Sequence, residues 1–221
     1  MPIADTMDAL NKLKEQGKIR AIGVSNFSRT QIEEATQYGR IDSLQPPYSL
    51  FWRWVEKDAM SYCIDNHISI IAYSSLAQGI LTGKFGPEHR FEEGDHRAKN
   101  KLFIKENYDR VQTALNRLRP IADRHLTSLG NLALAWLISQ PQTNAIVGAR
   151  DGEQAAENAK AAEVKLSEEE LKEIDAIGRT VTDHLDDNPL CGIFKRVNSG
   201  LAKPLYVGCA FGAHLTPISS A

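Results

Sequence analysis

Features that direct a protein to a membrane or to nucleic acid are missing from this sequence. No apolar stretch is long enough to cross a bilayer. The first residues, MPIADTMDAL, have neither the basic start nor the apolar run of a secretory signal. Basic residues are dispersed and the net charge is −2, which argues against a surface that follows a phosphate backbone. We therefore expect a cytoplasmic protein with no nucleic-acid partner and no membrane partner.

Cysteine, histidine and glycine patterns exclude further classes of site. The three cysteines, Cys63, Cys191 and Cys209, are odd in number and show no CxxC spacing, which suits a reducing compartment. The six histidines form no HxH or HExxH pair, so no metal site is expected. No GxGxxG follows a predicted strand, which argues against a classical Rossmann dinucleotide site.

What the sequence does contain is an alternation of short apolar runs with helical segments. With 221 residues, of which 42% are hydrophobic and 24% charged, the chain can form a globular domain with a sizeable core. Strands alternating with helices imply parallel pairing and right-handed crossovers. The pattern alone fits an open doubly wound sheet as well as part of a (β/α)8 barrel. The predicted strands are Ile19–Ser25, Ile41–Gln45, Ile68–Tyr73 and Asn144–Val147.

The helices are predicted from apolar spacing and from capping residues. Ser28 with Gln31, and Ser167 with Glu170, have the spacing of capping boxes. Residues 77–104 are long, charged and glycine-rich, which predicts a loop over a site. Residues 180–221 lose all periodicity. The other predicted helices are a first one that ends at Gly17, then Val55–Ile64, Glu106–Arg124, Ser128–Gln140 and Asp151–Ala162.

Polar residues collect where the predicted strands end, which is where parallel α/β domains place their sites. Each of these residues also has an ordinary structural explanation, as a turn residue, a core aromatic or a surface cation. Together they suit a nicotinamide dinucleotide: amides can hold the carboxamide, an aromatic ring can stack on the nicotinamide, and an arginine at a helix start can bind a phosphate. The residues are Ser25, Asn26, Gln45, Tyr73, Ser74, Ser75, Gly148, Ala149 and Arg150.

Four segments resemble, in order and spacing, the fifth- to eighth-strand segments of the aldo-keto reductases. They are GKIRAIGVSNFS from Gly17, IDSLQPPYS from Ile41, AYSSLAQGILTGK from Ala72 and IVGARDGEQAAENA from Ile146. The form is similar to the bacterial and potassium-channel β-subunit-like branch. The resemblance implies a partial (β/α)8 TIM barrel of four parallel strands over residues 1–178, which dimerisation could close. Residues 179–221 would be an irregular tail of unknown fold.

The resemblance also implies a role for individual residues, with NADP as the cofactor. The match at Arg150 favours NADP over NAD. The carboxamide would be bound by Ser25, Asn26 and Gln45, and the nicotinamide ring would stack on Tyr73. The pyrophosphate would be surrounded by Ser74, Leu76, Gln78, Gly79 and Lys84. The 2′-phosphate would be held by Gly148 and Arg150, and the adenosine by Gln154, Glu157 and Asn158.

The catalytic half of the family pattern has no counterpart here. The family carries its catalytic Asp, Tyr, Lys and His on the second to fourth strands, whereas this chain resembles the family only from the helix that follows. Tyr48 and Tyr62 are present, but neither can be assigned the role of proton donor. Phe51–Trp54 (FWRW) falls where the family has a substrate-pocket loop, or forms a hydrophobic patch that the missing half would cover. The catalytic residues are therefore unknown.

Three functions follow as hypotheses. The first is an NADP-binding oxidoreductase of the aldo-keto reductase class, or a truncated homologue, acting on a small-molecule carbonyl compound if it is active. The second is a pseudoenzyme that binds NADP or a partner without turnover. The third is an esterase-like hydrolase built on Ser25, Ser74 or Ser75 with a distant histidine.

A half-barrel should not be stable alone. Two parallel edges would be bare, and the inner faces of the strands would expose apolar side chains to water. These are predicted to be Ile22, Val24, Leu44, Ile70 and Ile146. We expect a homo-oligomer, or a monomer whose open face is covered by residues 180–221.

Overall fold

The computed structural model describes residues 2–185. They form a four-stranded parallel sheet in the order β1-β2-β3-β4, with helices in the connections. The strands are β1 Gly23–Ser25, β2 Ser43–Gln45, β3 Ser69–Ala72 and β4 Thr143–Ala145. The prediction of four parallel strands is confirmed, and the sheet does not close on itself. The predicted irregular tail lies outside the described residues from residue 186 onward.

The register of the sheet shows which side chains share a face. Leu44 pairs with Val24 on one side and with Ile70 on the other, and Ile70 pairs with Thr143. Because paired residues point to the same face, these four residues form a row, and Leu44 and Ile70 are completely buried under the helices. On the other face, Ser25 pairs with Gln45, and Ile71 pairs with Asn144. That second face is the open one.

The prediction that the open face is apolar is therefore wrong. Ile22, Leu44 and Ile70 are buried, and Val24 is partly buried and packs against the core. Of the residues expected to face water, Ile146 is exposed, at 43%. The open face carries mainly small or polar side chains, because β1 and β2 alternate an inward apolar residue with outward small or polar ones, although Ile71 of β3 also lies on this face.

Eight α-helices connect and cover the strands within the described residues. The helix expected at Val55–Ile64 is two helices, interrupted at Asp58 and Ala59, where the Asp58 carboxylate accepts the backbone N–H of Arg29. The helices are α1 Ile3–Glu15, α2 Arg29–Thr36, α3 Trp54–Lys57, α4 Met60–Asp65, α5 Lys105–Arg124, α6 Leu129–Ile138, α7 Gly152–Ala159 and α8 Glu168–Thr182. Short 3₁₀ helices lie at Ala77–Thr82, His96–Lys99, Lys101–Phe103 and Lys160–Glu163.

Local capping signals are confirmed at several helix starts. Ser28 and Gln31 form a reciprocal capping box at α2, and Ser167 and Glu170 form another at α8. The Ser128 hydroxyl accepts the Asn131 N–H at the start of α6. Each cap satisfies a backbone donor that the first turn would otherwise leave free.

The segment after β2 is packed into the core. Phe51 and Trp52 are buried, so the interpretation of FWRW as an exposed patch is wrong. Arg53 is also buried: its guanidinium binds both carboxylate oxygens of Glu56, one oxygen of Asp175, and the face of Trp136 at 4.8 Å. This cluster joins the β2–α3 connection to α6 and α8.

Candidate functional site

The carboxyl ends of three strands meet in a hydrogen-bonded group of Asn26, Gln45 and Tyr73. The Tyr73 hydroxyl donates to Asn26 Oδ1 over 3.1 Å. The Gln45 carbonyl accepts both the Asn26 N–H, at 3.1 Å, and the Ser25 hydroxyl, at 3.0 Å. The structure thus brings together four residues expected at one site, although they are spread over nearly 50 positions of the sequence.

Asn26 reaches this position through an unusual backbone conformation. Its φ is 58°, in the left-handed region that asparagine tolerates better than most residues. The turn reverses the chain directly after β1 and leads to the Ser28 cap of α2. It leaves the Asn26 side chain within hydrogen-bond distance of Tyr73.

A second group follows β3 in a tight left-handed turn. Ser74, Ala77, Gln78 and Gly79 all have positive φ, and the Ala77 N–H donates to the Ser74 carbonyl over 2.7 Å. Such conformations cost about 1–2 kcal/mol for a residue other than glycine, so surrounding contacts must hold them. The turn contains most of the residues expected at the pyrophosphate.

Ser75 connects this turn to β4. Its buried hydroxyl lies 3.0 Å from the Ala72 carbonyl and 2.9 Å from the Ile146 carbonyl. It therefore positions the turn of the second group against the segment that begins after β4. The sequence analysis expected Ser75 at this strand end and considered it as a possible nucleophile, but it did not predict these two contacts.

A third group lies between β4 and α7. Asp151 caps α7, with its Oδ1 accepting the Gln154 N–H over 2.7 Å. The Gln154 Oε1 accepts the Arg150 N–H, and the Asn158 amide donates to the Gly148 carbonyl. The backbone that presents Arg150 is therefore held at two points, while its side chain is exposed.

Two of the expected cofactor-binding residues, Glu157 and Lys84, form hydrogen bonds with other groups of the protein. Glu157 contacts other protein groups: Asn131 donates to its backbone and side-chain oxygens, and Lys160 pairs with its carboxylate at 2.7 Å. Lys84 is exposed, beyond the left-handed turn, with its N–H donating to Thr82. Both remain predictions as ligand contacts.

The site also contains a residue that sequence reasoning missed. Asn100 is buried, and its amide donates to Gln78 Oε1 over 3.0 Å. It lies in the long segment predicted as a loop, 22 positions from its partner. No local pattern marks such a contact, because only the folding of the loop back over the turn creates it.

Neither unassigned tyrosine has its hydroxyl at the strand ends, although the Tyr48 N–H donates to the Tyr73 carbonyl over 3.1 Å. Tyr48 is buried, and its hydroxyl donates to Glu56 over 2.7 Å. Burial first, and then the Glu56 carboxylate, raise the pKa of Tyr48 far above its ordinary value, so it stays protonated. The Tyr62 hydroxyl contacts Thr36 on α2. Neither is placed to protonate a substrate at the open face.

Other reactive groups have structural positions. The Ser25 hydroxyl is bound to a backbone carbonyl, as is that of Ser75, while His125 contacts Glu170. Burial, with a further contribution from Asp58, raises the pKa of the Cys63 thiol to about 11.

Within residues 2–185 there is no group of three His, Cys, Asp or Glu side chains arranged to hold a metal ion. None of the helices described there is long and apolar enough to span a membrane.

A family model described as the aldo/keto reductase family matches residues 1–179. The chain belongs to this family. Its fold agrees with that of a solved family structure: the glycerol dehydrogenase of Gluconobacter oxydans superimposes with a TM-score of 0.79 at 33% identity. That match covers 84% of this chain and 57% of the dehydrogenase.

Curated aldo-keto reductases are similar over the same region. The NADH-specific methylglyoxal reductase of Escherichia coli is 39% identical over 168 residues, covering 76% of this chain and 51% of that protein. The Schizosaccharomyces pombe aldo-keto reductase yakc [NADP(+)] is 36% identical, with 78% of this chain and 52% of that protein covered. The chain thus spans about half the length of the curated relatives it matches. The family uses nicotinamide cofactors, which fits the amides and the aromatic ring gathered at the strand ends.

Proposed function

We propose that this chain forms the nicotinamide-cofactor half of an aldo-keto reductase and binds NADP at the carboxyl ends of its strands. The contact of Tyr73 with Asn26, beside Gln45, is the observation that carries the proposal. It places the Tyr73 ring and the Asn26 amide together at the edge of the open face, and Gln45 lies on the same face as its pair, Ser25. That donor set fits a planar ring that bears a carboxamide.

The remaining cofactor groups are assigned along the site. The left-handed turn that contains Gln78 and Gly79 would hold the pyrophosphate, with Lys84 beside it. Arg150, exposed before the amino end of α7, would pair with the 2′-phosphate. Gln154 and Asn158 already fix the backbone around Arg150, so the binding of the adenosine end would require little rearrangement.

The assignment of NADP rather than NAD depends on Arg150, and acidic neighbours oppose it. Asp151 caps α7, and Glu153 lies in its first turn. Both carboxylates repel a 2′-phosphate, and a carboxylate accepts hydrogen bonds from the ribose hydroxyls of NAD. Among the relatives of this chain, one is named as specific for NADH and another is named with NADP(+). We therefore expect NADPH to be preferred by a modest factor.

Bound NADPH would supply a hydride to the carbonyl carbon of a small aldehyde or ketone. The residues of this chain would bind the cofactor and orient its nicotinamide. Tyr48 and Tyr62, the two tyrosines considered as the acid, are engaged at the helices, so a proton donor must come from elsewhere. General acid catalysis is worth about 10²–10⁴-fold. The chain alone should therefore be a poor carbonyl reductase.

Calorimetric titration with NADPH and NADH tests the proposal directly. NADPH should bind more tightly, and Arg150→Ala should shift the relative affinity towards NADH by roughly 1–3 kcal/mol through loss of a charge-assisted pair, enough to abolish or invert a modest preference. Arg117→Ala, at an exposed position on α5, is the matched control. No binding of either cofactor would refute the proposal. Oxidation of NADPH by an aldehyde panel, proportional to protein, would show that an acid had been overlooked.

The open edges of the sheet imply a further chain segment beside them. Within residues 2–185, β1 and β4 each pair on one side only. Parallel strands are normally buried between neighbours, and free edges invite pairing. We propose that a second copy of the chain supplies the missing neighbours, pairing β1 of one copy with β4 of the other. Light scattering tests this proposal, and a monomer at micromolar concentration would contradict it.

The hydrolase hypothesis is not favoured, since the chain belongs to a family of oxidoreductases. An ester-hydrolysis assay with a serine-directed inhibitor would detect such an activity. The pseudoenzyme hypothesis predicts cofactor binding without carbonyl-dependent oxidation, and the same titration followed by the aldehyde panel distinguishes it from an active reductase.

A further inference from the structure

A buried amide side chain of the segment between Gly83 and Lys105 contacts the left-handed turn. Asn100 is 1% exposed, and its Nδ2 donates to Gln78 Oε1 over 3.0 Å. Its Oδ1 accepts the N–H of Leu102 over 2.9 Å, which caps the 3₁₀ helix Lys101–Phe103. One side chain therefore orders its own loop and contacts the turn at the same time.

Gln78 has a conformation that needs such support. Its φ and ψ are 59° and 29°, and it lies between Ala77 with φ 48° and Gly79 with φ 90°. Within this turn the Ala77 N–H donates to the Ser74 carbonyl over 2.7 Å, and the Gly79 N–H donates to the Leu76 carbonyl over 2.9 Å. Non-glycine residues persist in this conformation only when their surroundings hold them there.

The loop is firm enough to serve as that support. Phe85, Phe91 and Phe103 pack edge to face, with ring centroids 4.6–5.5 Å apart, and the Arg97 guanidinium lies over the first two rings. The Tyr108 hydroxyl on α5 donates to the Phe85 carbonyl over 3.0 Å. Asn100 is thus held by a loop with its own aromatic cluster, which α5 anchors.

We propose that Asn100 is a positioning residue that holds the Gln78–Gly79 turn in the shape that binds the diphosphate bridge of the cofactor. This inference rests on the proposed function. Asn100 does not touch the cofactor in this scheme and acts through the Gln78 side chain. Its influence should therefore be confined to ligands that carry the diphosphate.

The test compares a full cofactor with a fragment. Asn100→Ala should weaken NADPH binding about 3- to 10-fold, the range expected for the loss of one hydrogen bond. Binding of adenosine 2′-monophosphate, which lacks the diphosphate and should contact only the α7 end, should be unchanged. Both are measured by NMR titration of the intact chain. Asn107→Ala is the matched control, because the Asn107 amide donates to the Lys101 carbonyl in the same segment and makes no hydrogen bond to the turn.

A second variant keeps the test decisive if Asn100→Ala folds poorly. Gln78→Ala removes the same hydrogen bond from the other side and leaves the Asn100 contact with Leu102 intact. If Asn100 acts through Gln78, combining the two substitutions should weaken NADPH no more than Gln78→Ala alone. Additive losses, or equal weakening of NADPH and the fragment, would overturn the positioning role. Failure of the unmutated chain to bind NADPH or NADH would refute the proposed function as well.

Discussion

Replacing Arg53 with methionine should remove a large part of the stability of the described domain. The Arg53 side chain is 7% exposed, and its guanidinium makes two hydrogen bonds to Glu56, at 2.8 and 3.0 Å, and one to Asp175 at 2.5 Å. Methionine retains much of the apolar volume against Trp136 but leaves both carboxylates without this cation. The substitution therefore isolates the ionic contribution of the cluster.

The magnitude follows from how well water can reach the remaining groups. Removing one partner of a fully buried ion pair costs about 3–5 kcal/mol. Glu56 and Asp175 retain 20% and 32% of their side-chain exposure, so water can hydrate them in part, and Arg179 remains 3.8 Å from Glu56 and 2.9 Å from Asp175. We therefore expect a loss of about 2–4 kcal/mol, against a total stability of roughly 5–15 kcal/mol for a domain.

The loss of stability can be measured by urea denaturation followed by circular dichroism. The midpoint urea concentration should fall, and the dependence of the unfolding free energy on urea concentration should not change. The informative comparison is the triple variant Tyr48→Phe, Arg53→Met, Glu56→Leu. It removes the charges of Arg53 and Glu56 and the tyrosine hydroxyl together, while Asp175 keeps its ion pair with Arg179 at 2.9 Å. It should therefore be more stable than Arg53→Met alone. A loss below about 1 kcal/mol for Arg53→Met, or a triple variant that is less stable than the single one, would show that the cluster does not behave as a buried ionic unit.

Three further outcomes are expected. Burial alone would raise the pKa of Asp42, but hydrogen bonds from the Ile22 N–H, Arg40 and Lys14 outweigh it and lower the pKa. The stability that the Asp42 carboxylate contributes should be present above about pH 4 and lost as pH falls through the lowered pKa. Asp42→Asn should therefore make the stability measured by unfolding less dependent on pH in the acid range. Asp151→Asn keeps the α7 cap but removes a negative charge, so by titration it should raise the ratio of NADPH to NADH affinity roughly 2- to 5-fold, and an unchanged ratio would contradict the repulsion. Gly178→Ala should destabilise the domain by about 1–3 kcal/mol in urea unfolding, because the new Cβ would lie 3.0 Å from the Leu50 carbonyl oxygen and 2.7 Å from Leu50 Cδ1. Gly152→Ala is the control: its Cβ would have no atom within 4 Å, so the domain should not be destabilised.

Features that depend on neighbouring residues in the chain could be predicted from the sequence. The capping boxes at Ser28 and Ser167 were predicted from a serine and a Gln or Glu three residues later, and both occur. The four strands were found from apolar runs bounded by turn residues. These signals are local because a cap or a turn satisfies its hydrogen bonds within a few residues.

The faces of the strands were predicted wrongly although the sequence contained the information. Ser43-Leu44-Gln45 alternates polar and apolar residues, as does Gly23-Val24-Ser25, which is the pattern of a strand with one buried face. The expectation of a buried parallel sheet led to both faces being taken as apolar. The structure shows instead that the polar row, which includes Ser25 and Gln45, faces outward.

The sequence by itself determined the order of strands and helices, the caps and, through four motifs, the family. Only the tertiary structure decided that the Tyr73 hydroxyl meets Asn26, that Tyr48 turns away to Glu56, and that Asn100 supports Gln78. These contacts join residues far apart in the chain, so no local propensity encodes them. They arise because parallel pairing sets all strand ends at one edge and the loop after β3 folds back over that edge.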